Sequence, residues 1–303
     1  MKNKYIILSF LILSTLAFGA NLDSTIYGKE LVLNILNYDK EGSLHLGHYF
    51  TLLQSEYFKI LFFGVLIGVP AAFLIHYLII GPMIFSHDRK KIYVFTLFNR
   101  IVHAIAAIAF TLLVPTGLVM MFGSTFDGGS FVRICKEVHA ISTLLFVVSI
   151  FPMFFMWARW MFIHWDDIKW LMIVGGYLNK NKKPVPAGKF NAGQKTWFWL
   201  ATLGGVIMIT TGGIMYFQDF ELAMLTPYLV KFGISQIDLL RASAIIHNVL
   251  GLGVVALFFT HLYMSVFAIK GAIHSIVTGY KEEEEVEILH SSYYKKLKKR
   301  NQI

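Results

Sequence analysis

Long apolar runs dominate the pattern of hydrophobic and polar positions along this chain. A helix rises 1.5 Å per residue, so about 20 residues cross the roughly 30 Å hydrocarbon core of a bilayer. Since lipid offers no partners to backbone N–H and C=O groups, runs of this length must be helical. The pattern predicts an all-α integral membrane bundle of five transmembrane helices, numbered one to five, at approximately 57–82, 99–122, 134–158, 196–217 and 241–269.

The first 20 residues differ from these runs. A lysine-containing start precedes a short apolar stretch from Tyr5 to Phe18, and small residues follow it. This order is typical of a signal peptide, and an apolar stretch of about 14 residues is short for a spanning helix. We predict a signal peptide at 1–20 and an extracytoplasmic segment at 21–56. A retained N-terminal anchor is the alternative.

Charges in the connecting loops orient the helices. The loop at 159–195 and the segment from Lys270 onward hold seven Lys or Arg residues each, whereas the loops at 123–133 and 218–241 hold one and two. The positive-inside rule places the first two segments in the cytoplasm and the other two outside. Five crossings from an extracytoplasmic N-terminus give the same orientation. We interpret the end of the chain, 282–303, as a charged, solvated and mobile cytoplasmic tail.

Composition narrows the class of protein further. Hydrophobic residues make up 56% of the chain and charged residues 15%, below the roughly 25% charged residues of soluble domains. The formal net charge of +9 comes from cations beside the apolar runs, so it indicates contact with lipid headgroups and no nucleic acid partner. The single cysteine, Cys135, excludes an internal disulfide, a cysteine-ligated iron–sulfur cluster and covalent haem attachment through C-x-x-C-H.

Histidines within the apolar runs are the candidate chemistry, because an ionisable side chain is costly inside a membrane. His247 and His261 are 14 residues apart in helix five, which places them within about 40° of one face and about 21 Å apart along the axis. His139, about one turn into helix three, matches the outer level of His247. His103 lies toward the inner level of His261, which is a looser match. We predict that each pair holds the iron of one noncovalent b-type haem between two neutral imidazoles. His76 has no obvious partner and is interpreted as a packing or helix-end residue.

Each histidine alone has a simpler interpretation, a neutral imidazole bonded to a neighbouring helix. Gly251 and Gly253 permit either the approach of a flat macrocycle or ordinary helix packing. Arg133 and Arg241 either pair with haem propionates or anchor helix ends at the interface. A metal transporter is disfavoured, because the four histidines lie at two depths and helices two to five have almost no acidic residues away from their ends. A purely structural anchor would not need the four histidines.

The stretches around these histidines resemble the cytochrome b (gamma) subunit of membrane-bound respiratory formate dehydrogenases, over roughly 96–281. The resemblance implies a di-haem cytochrome b domain there, and it leaves 57–95, with helix one, as an addition to the short members of that family. Cytochromes of nickel–iron hydrogenases share the two-haem plan and remain an alternative. The matching stretches are 98–103, 137–139, 189–195, 245–247, 260–264 and 270–273.

The resemblance also implies a quinone site. Menaquinone would be reduced at the cytoplasmic side, beside the inner haem and His261, by a site that includes Asn191, Gly193 and Gln194. From the residues alone, Asn191 caps helix four and Gly193 eases the turn.

The resemblance further implies partners and a location. The chain would lie in the bacterial inner membrane and anchor two periplasmic subunits, an iron–sulfur (beta) subunit and a molybdenum or tungsten pterin catalytic (alpha) subunit that oxidises formate. Its expected cofactors are two haem b groups. The outer haem, at His139 and His247, would accept electrons from the iron–sulfur subunit, and the inner haem, at His103 and His261, would pass them to menaquinone.

Overall fold

The computed structural model describes residues 44–217 and 226–303, so the predicted signal peptide at 1–20 and most of the 21–56 segment lie outside it. Short 3₁₀ turns occupy Gly123–Phe126 and Val174–Gly176. The helices and strands within the described residues are α1 (Leu46–Ile79), β1 (Lys91–Tyr93), α2 (Leu97–Met121), α3 (Gly129–Trp160), α4 (Trp165–Met172), α5 (Ala192–Tyr216), α6 (Thr226–Lys231), α7 (Gln236–Ala268), α8 (His274–Thr278), β2 (Tyr280–Glu282), α9 (Glu283–Leu289) and α10 (Ser291–Lys299).

Five of these helices, α1, α2, α3, α5 and α7, are long and apolar enough to cross a membrane, which confirms the predicted helices one to five. All five begin earlier than predicted, with α1, α3 and α7 beginning at Leu46, Gly129 and Gln236. In α7 the reason is a capping box: Ser235 N–H donates to Asp238 Oδ2 at 3.2 Å, and Asp238 N–H donates to Ser235 Oγ at 3.2 Å. Polar residues that looked like loop therefore belong to the first helical turn.

The chain is divided into two compact units, and the long helices run through both. The described part of the first unit comprises 44–59, 108–146, 211–217 and 226–245. Its interior holds Asp238, which is fully buried and accepts a hydrogen bond from Leu44 N–H at 3.3 Å.

The second unit comprises 60–107, 147–210 and 246–303. Its connecting loops and the C-terminal segment form a small domain of their own, in which β1 pairs antiparallel with β2 so that Ile92 lies opposite Lys281. Buried aromatic and aliphatic side chains from the loops and from the ends of α3 and α5 pack on this hairpin, with Val286 of α9 completely buried among them. These segments therefore share a hydrophobic core with the ends of α3 and α5.

The prediction that 282–303 is a solvated, mobile tail is wrong. Leu289 is 2% exposed, and Glu285 is equally buried, in an ion pair with Lys281. Glu284 pairs with Lys182 at 2.9 Å, and Tyr294 donates to Glu283 at 2.6 Å. Charge counting missed the apolar residues spaced three or four apart in α9 and α10, which give each short helix one buried face.

Three of the membrane helices contain a π-helical turn, at Leu53–Tyr57 in α1, Leu200–Gly204 in α5 and Tyr263–Ala268 in α7. A π turn accommodates an extra residue in the helix, and such turns are frequent at functional sites. The turn in α7 begins two residues after His261.

Candidate haem and quinone sites

The structure brings His103 and His261 together within the second unit. His103 lies six residues after Leu97, the first residue of α2, and His261 lies seven residues before Ala268, the last residue of α7. The depth match predicted for the inner pair is therefore close once the helix ends are known. Their ring centroids are 6.1 Å apart, with 48° between the ring planes.

This separation fits an iron atom between the two rings. Iron–nitrogen bonds of about 2 Å, plus about 1.1 Å from each nitrogen to its ring centre, separate two axial imidazole centres by about 6 Å. A direct N–H···N hydrogen bond of about 3 Å would bring the centres to about 5 Å. The observed 6.1 Å matches the first arrangement. His103 and His261 thus leave between them the space that a ligated haem iron needs.

Trp197 is a residue of this site that sequence reasoning missed. Its indole in α5 stacks on the His261 imidazole, with ring centroids 5.6 Å apart and planes 19° apart. Such stacking is worth about 0.5–1.5 kcal/mol and restricts the rotation of the imidazole. Its position four residues after Gly193 was the available signal, because residues four apart share a helix face.

His139 is held by α2 within the first unit. Thr116 Oγ1 donates to Leu112 C=O at 2.6 Å, so its lone pairs can accept from His139 Nδ1–H, 3.0 Å away. With the proton on Nδ1, the neutral ring presents Nε2 as a metal ligand. A Cβ atom on Gly117 would lie 3.3 Å from His139 Cε1, so glycine permits this close approach. Neither Thr116 nor Gly117 was predicted.

His139 and His247 belong to different units, and their pairing at one iron remains a prediction. His139 is ten residues after Gly129, the first residue of α3, and His247 is eleven residues after Gln236, the first residue of α7. Each is therefore deeper in its helix than the single turn expected for His139.

Asn191 and Gln194 form the N-terminal capping box of α5. Asn191 Oδ1 accepts from Gln194 N–H at 2.9 Å, and Gln194 Oε1 accepts from Asn191 N–H at 3.0 Å. The interpretation of Asn191 as a helix cap is therefore confirmed, and both side-chain oxygens are in use. Gly193 is exposed, and a Cβ atom there would meet the Trp170 ring at 3.2 Å. The role of these residues toward a quinone remains a prediction.

A small cavity adjoins Gln194. Its volume is about 10 Å³, room for one water molecule. Lys189, His290 and Tyr293 also line it. Burial, and to a smaller extent the charge of Arg159, lowers the pKa of Lys189. The cavity places titratable groups beside the predicted quinone residues.

A buried ion pair supports the same end of α5. Lys195 Nζ lies 2.6 Å from Asp167 Oδ2, with the two side chains 6% and 5% exposed. Lys195 Nζ also donates to Phe162 C=O at 3.0 Å. Because Asp167 belongs to α4, the pair joins α4 to the first turn of α5.

His76 has two partners, which supports its interpretation as a packing residue. Its Nε2 lies 2.8 Å from Tyr177 C=O, which can only accept, so Nε2 donates. Its Nδ1 lies 2.6 Å from Tyr263 Oη and accepts from that hydroxyl in the neutral ring. These bonds attach α1 to the loop between α4 and α5 and to the π turn of α7.

The structure also distinguishes between the alternative interpretations of the two glycines in α7 and of the two arginines. Cβ atoms on Gly251 and Gly253 would make ordinary contacts with Phe62 at 3.5 Å and Leu200 at 3.6 Å, which favours helix packing. Arg133 is exposed, as an interfacial anchor would be, whereas Arg241 is 3% exposed. Arg241 is therefore no surface anchor.

A metal-transport site needs several ligands that converge at one depth. Among residues 44–217 and 226–303, no three His, Cys, Asp or Glu side chains converge on a common point. A pair of imidazoles inside an apolar helical bundle, as at His103 and His261, is instead typical of membrane haem proteins that carry electrons.

The chain belongs to the prokaryotic cytochrome b561 family, whose family model matches residues 94–279. It is thus a multi-pass protein of the bacterial inner membrane with haem b as its cofactor type.

Curated relatives include three cytochrome b556 subunits of formate dehydrogenases. The nitrate-inducible subunit of Escherichia coli K12 is 27% identical over 225 residues, 70% of this chain and 94% of that protein. A second E. coli K12 subunit is 24% identical over 214 residues, 70% of this chain and 95% of that protein. The Haemophilus influenzae subunit is 27% identical over 208 residues, 65% of this chain and 79% of that protein.

Proposed function

We propose that this chain is the membrane-anchoring cytochrome b subunit of a respiratory formate dehydrogenase. It receives electrons from an iron–sulfur (beta) subunit in the periplasm and delivers them through two b haems to menaquinone at the cytoplasmic side. Formate is oxidised in a separate alpha subunit, at a molybdenum or tungsten pterin centre. The names of the relatives support formate dehydrogenase as the source of the electrons. The observation that supports electron transfer through haem is the 6.1 Å separation of the His103 and His261 rings.

The four histidines hold the cofactors. Bound haem b supplies one-electron transfer, with a potential set by its ligands and their surroundings. His103 and His261 ligate the inner iron, and His139 and His247 ligate the outer iron. Thr116 keeps the proton of His139 on Nδ1, which leaves Nε2 for the metal.

Asn191, Gly193 and Gln194 form the menaquinone site beside His261. Their position supports this role, because they lie at the first turn of a membrane helix, at the end that the positive-inside rule assigns to the cytoplasm. The exposed Gly193 leaves its backbone accessible to a quinone carbonyl, while the capping box keeps the turn rigid. Each menaquinone takes two electrons and two protons to become menaquinol.

The cavity beside Gln194 supports proton delivery from the cytoplasm. It has room for one water molecule, and Lys189 at its wall has a lowered pKa, so Lys189 releases a proton more readily than a solvated lysine. Electrons moving inward to a quinone that takes protons from the cytoplasm add to the transmembrane potential.

Haem quantification tests the ligand assignment. The purified chain should carry about two b haems per polypeptide, since two axial imidazoles are needed for each iron. His261→Ala should remove the inner haem together with quinone reduction, and His139→Ala should remove the outer haem. His274→Ala, at an exposed position, is the matched control and should retain both. A haem-free wild-type preparation from haem-replete cells would contradict the proposal.

Substitutions of Asn191 test the quinone site. Asn191→Ala should keep both haems and impair menaquinone reduction, but it also removes a helix cap worth about 1 kcal/mol. Asn191→Ser preserves the cap and lacks the carboxamide, so it separates the two roles. If serine restores quinone reduction to the wild-type rate, Asn191 acts only as a cap.

The electron donor is tested in the purified complex. Formate should reduce both haems in the absence of hydrogen. Reduction by hydrogen gas and not by formate would assign the chain to a hydrogenase.

A further inference from the structure

One segment of the cytoplasmic loop, 160–178, presents apolar side chains outward. Charged loops normally bury their large apolar residues, and a contiguous exposed set indicates an interaction surface. Here six such side chains are 59–80% exposed: Phe162, Ile163, Trp165, Leu171, Met172 and Leu178. We call 160–178 the interfacial segment.

The helix within this segment, α4, directs most of its large apolar residues away from the protein, whereas a helix on a soluble protein directs them inward. Asp167 and Trp170 face the protein and are 3% and 9% exposed. Successive residues turn by about 100°, so the exposed apolar residues of α4 cover about 120° of the circumference. They are Trp165, Ile168, Leu171 and Met172. Lys169 follows at the edge of this arc and is also exposed.

Two contacts fix the depth of α4. The Asp167–Lys195 ion pair joins it to the first turn of α5, at 2.6 Å. The Trp170 ring lies close enough to Gly193 that a Cβ atom there would be 3.2 Å away. Since α5 enters the membrane at this turn, α4 lies at the level of the cytoplasmic membrane boundary.

Exposed apolar residues also lead along the chain from the end of α3 into the arc. Phe155, near the cytoplasmic end of α3, is 77% exposed, and Trp160 ends that helix. Trp160 and Trp165 are of the residue type enriched at the level of lipid headgroups. Arg159 and Lys169 flank the arc and can reach the phosphates.

We propose that the interfacial segment is embedded in the cytoplasmic leaflet, with α4 parallel to the membrane plane. Its apolar arc contacts acyl chains, and Lys169 contacts anionic headgroups. Its other face holds the first turn of α5. Lipid is favoured over a second copy or a partner protein because the arc lies beside the point where α5 enters the membrane, and because exposed apolar residues lead into it from the end of α3.

Spin labelling of the full chain in phosphatidylethanolamine–phosphatidylglycerol nanodiscs tests this arrangement. A Cys135→Ala background leaves each introduced cysteine as the only thiol. Labels at Met172→Cys and, as a second position, Leu171→Cys are compared with Phe155→Cys for lipid and Lys299→Cys for water. Oxygen and a water-soluble nickel complex report the depth of each label.

Labels on α4 should lie about 5–10 Å below the phosphates and favour oxygen, as at Phe155. Labels at or above the phosphates, with the nickel accessibility found at Lys299, would overturn the proposal. Protection from both reagents would also overturn it, because a protein would then cover α4. A haem spectrum equal to wild type in each labelled chain shows that the fold is retained.

Discussion

Burial of His290 predicts that the C-terminal helices lose stability between neutral pH and pH 5. The imidazole is 3% exposed, and its Nδ1–H donates to Gly188 C=O at 2.8 Å. Burial lowers the pKa of His290 to about 3, assisted by the charge of Lys281, and the bond to Gly188 only partly opposes this. In the opened segment the pKa returns to about 6.5.

The direction of this pH dependence follows from the number of protons that the folded and opened states bind. Between pH 6.5 and pH 3 the opened state binds a proton that the folded state does not, so the stabilisation is fully present above pH 6.5 and is lost as the pH falls. At about 1.4 kcal/mol per pH unit, pH 5 removes about 2 kcal/mol, equivalent to an opened population about 30-fold larger. Ser86 N–H and Lys182 lower the pKa of Glu284, so this carboxylate adds its own loss only in more acidic solution.

Hydrogen exchange of α9 and α10, corrected for the intrinsic effect of pH, measures this free energy of opening. The full chain in nanodiscs is compared at pH 7.5 and pH 5. His290→Asn is the matched control, because its amide can donate to Gly188 C=O and does not titrate; its opening should be nearly independent of pH. An unchanged wild-type free energy of opening, or the same loss in the variant, would refute the reasoning.

Two further predictions concern single polar contacts. Thr116→Val should weaken haem binding at His139 by about 10–100-fold, as measured by haem transfer to apomyoglobin, whereas Thr116→Ser should bind haem normally; equal retention by both variants would contradict the role of the hydroxyl. Lys195→Met leaves Asp167 buried without its cation and should cost about 3–5 kcal/mol in unfolding free energy. Adding Asp167→Asn should recover most of that loss, and an unchanged melting temperature in the single variant would show that the ion pair does not stabilise α5.

Features that depend on composition along one segment were predictable from the sequence. The five membrane helices follow from apolar length, which lipid makes decisive. The pairing of His103 with His261 follows from helix geometry and depth, and the structure brings these two rings together. The start of α7 was misplaced because a capping box places a charged residue such as Asp238 inside the first turn.

Features that depend on contacts between distant segments were not predictable in this way. Trp197 on His261 and Thr116 beside His139 require the relative rotation of two helices. The folding of α9 and α10 requires partners such as Lys182, which is about 100 residues away in sequence from Glu284. The helix α4 lies within the predicted loop at 159–195, and the outward exposure of its apolar residues was not predicted.

The π turn at Tyr263–Ala268 is the last turn of α7 and follows His261. One residue added to or removed from an α-helix turns everything beyond it by about 100°. A π turn accommodates an extra residue, so a single-residue change at this place can be taken up by a switch between α and π geometry. The loop that leads to β2 can therefore change in length by one residue while His261 keeps its direction.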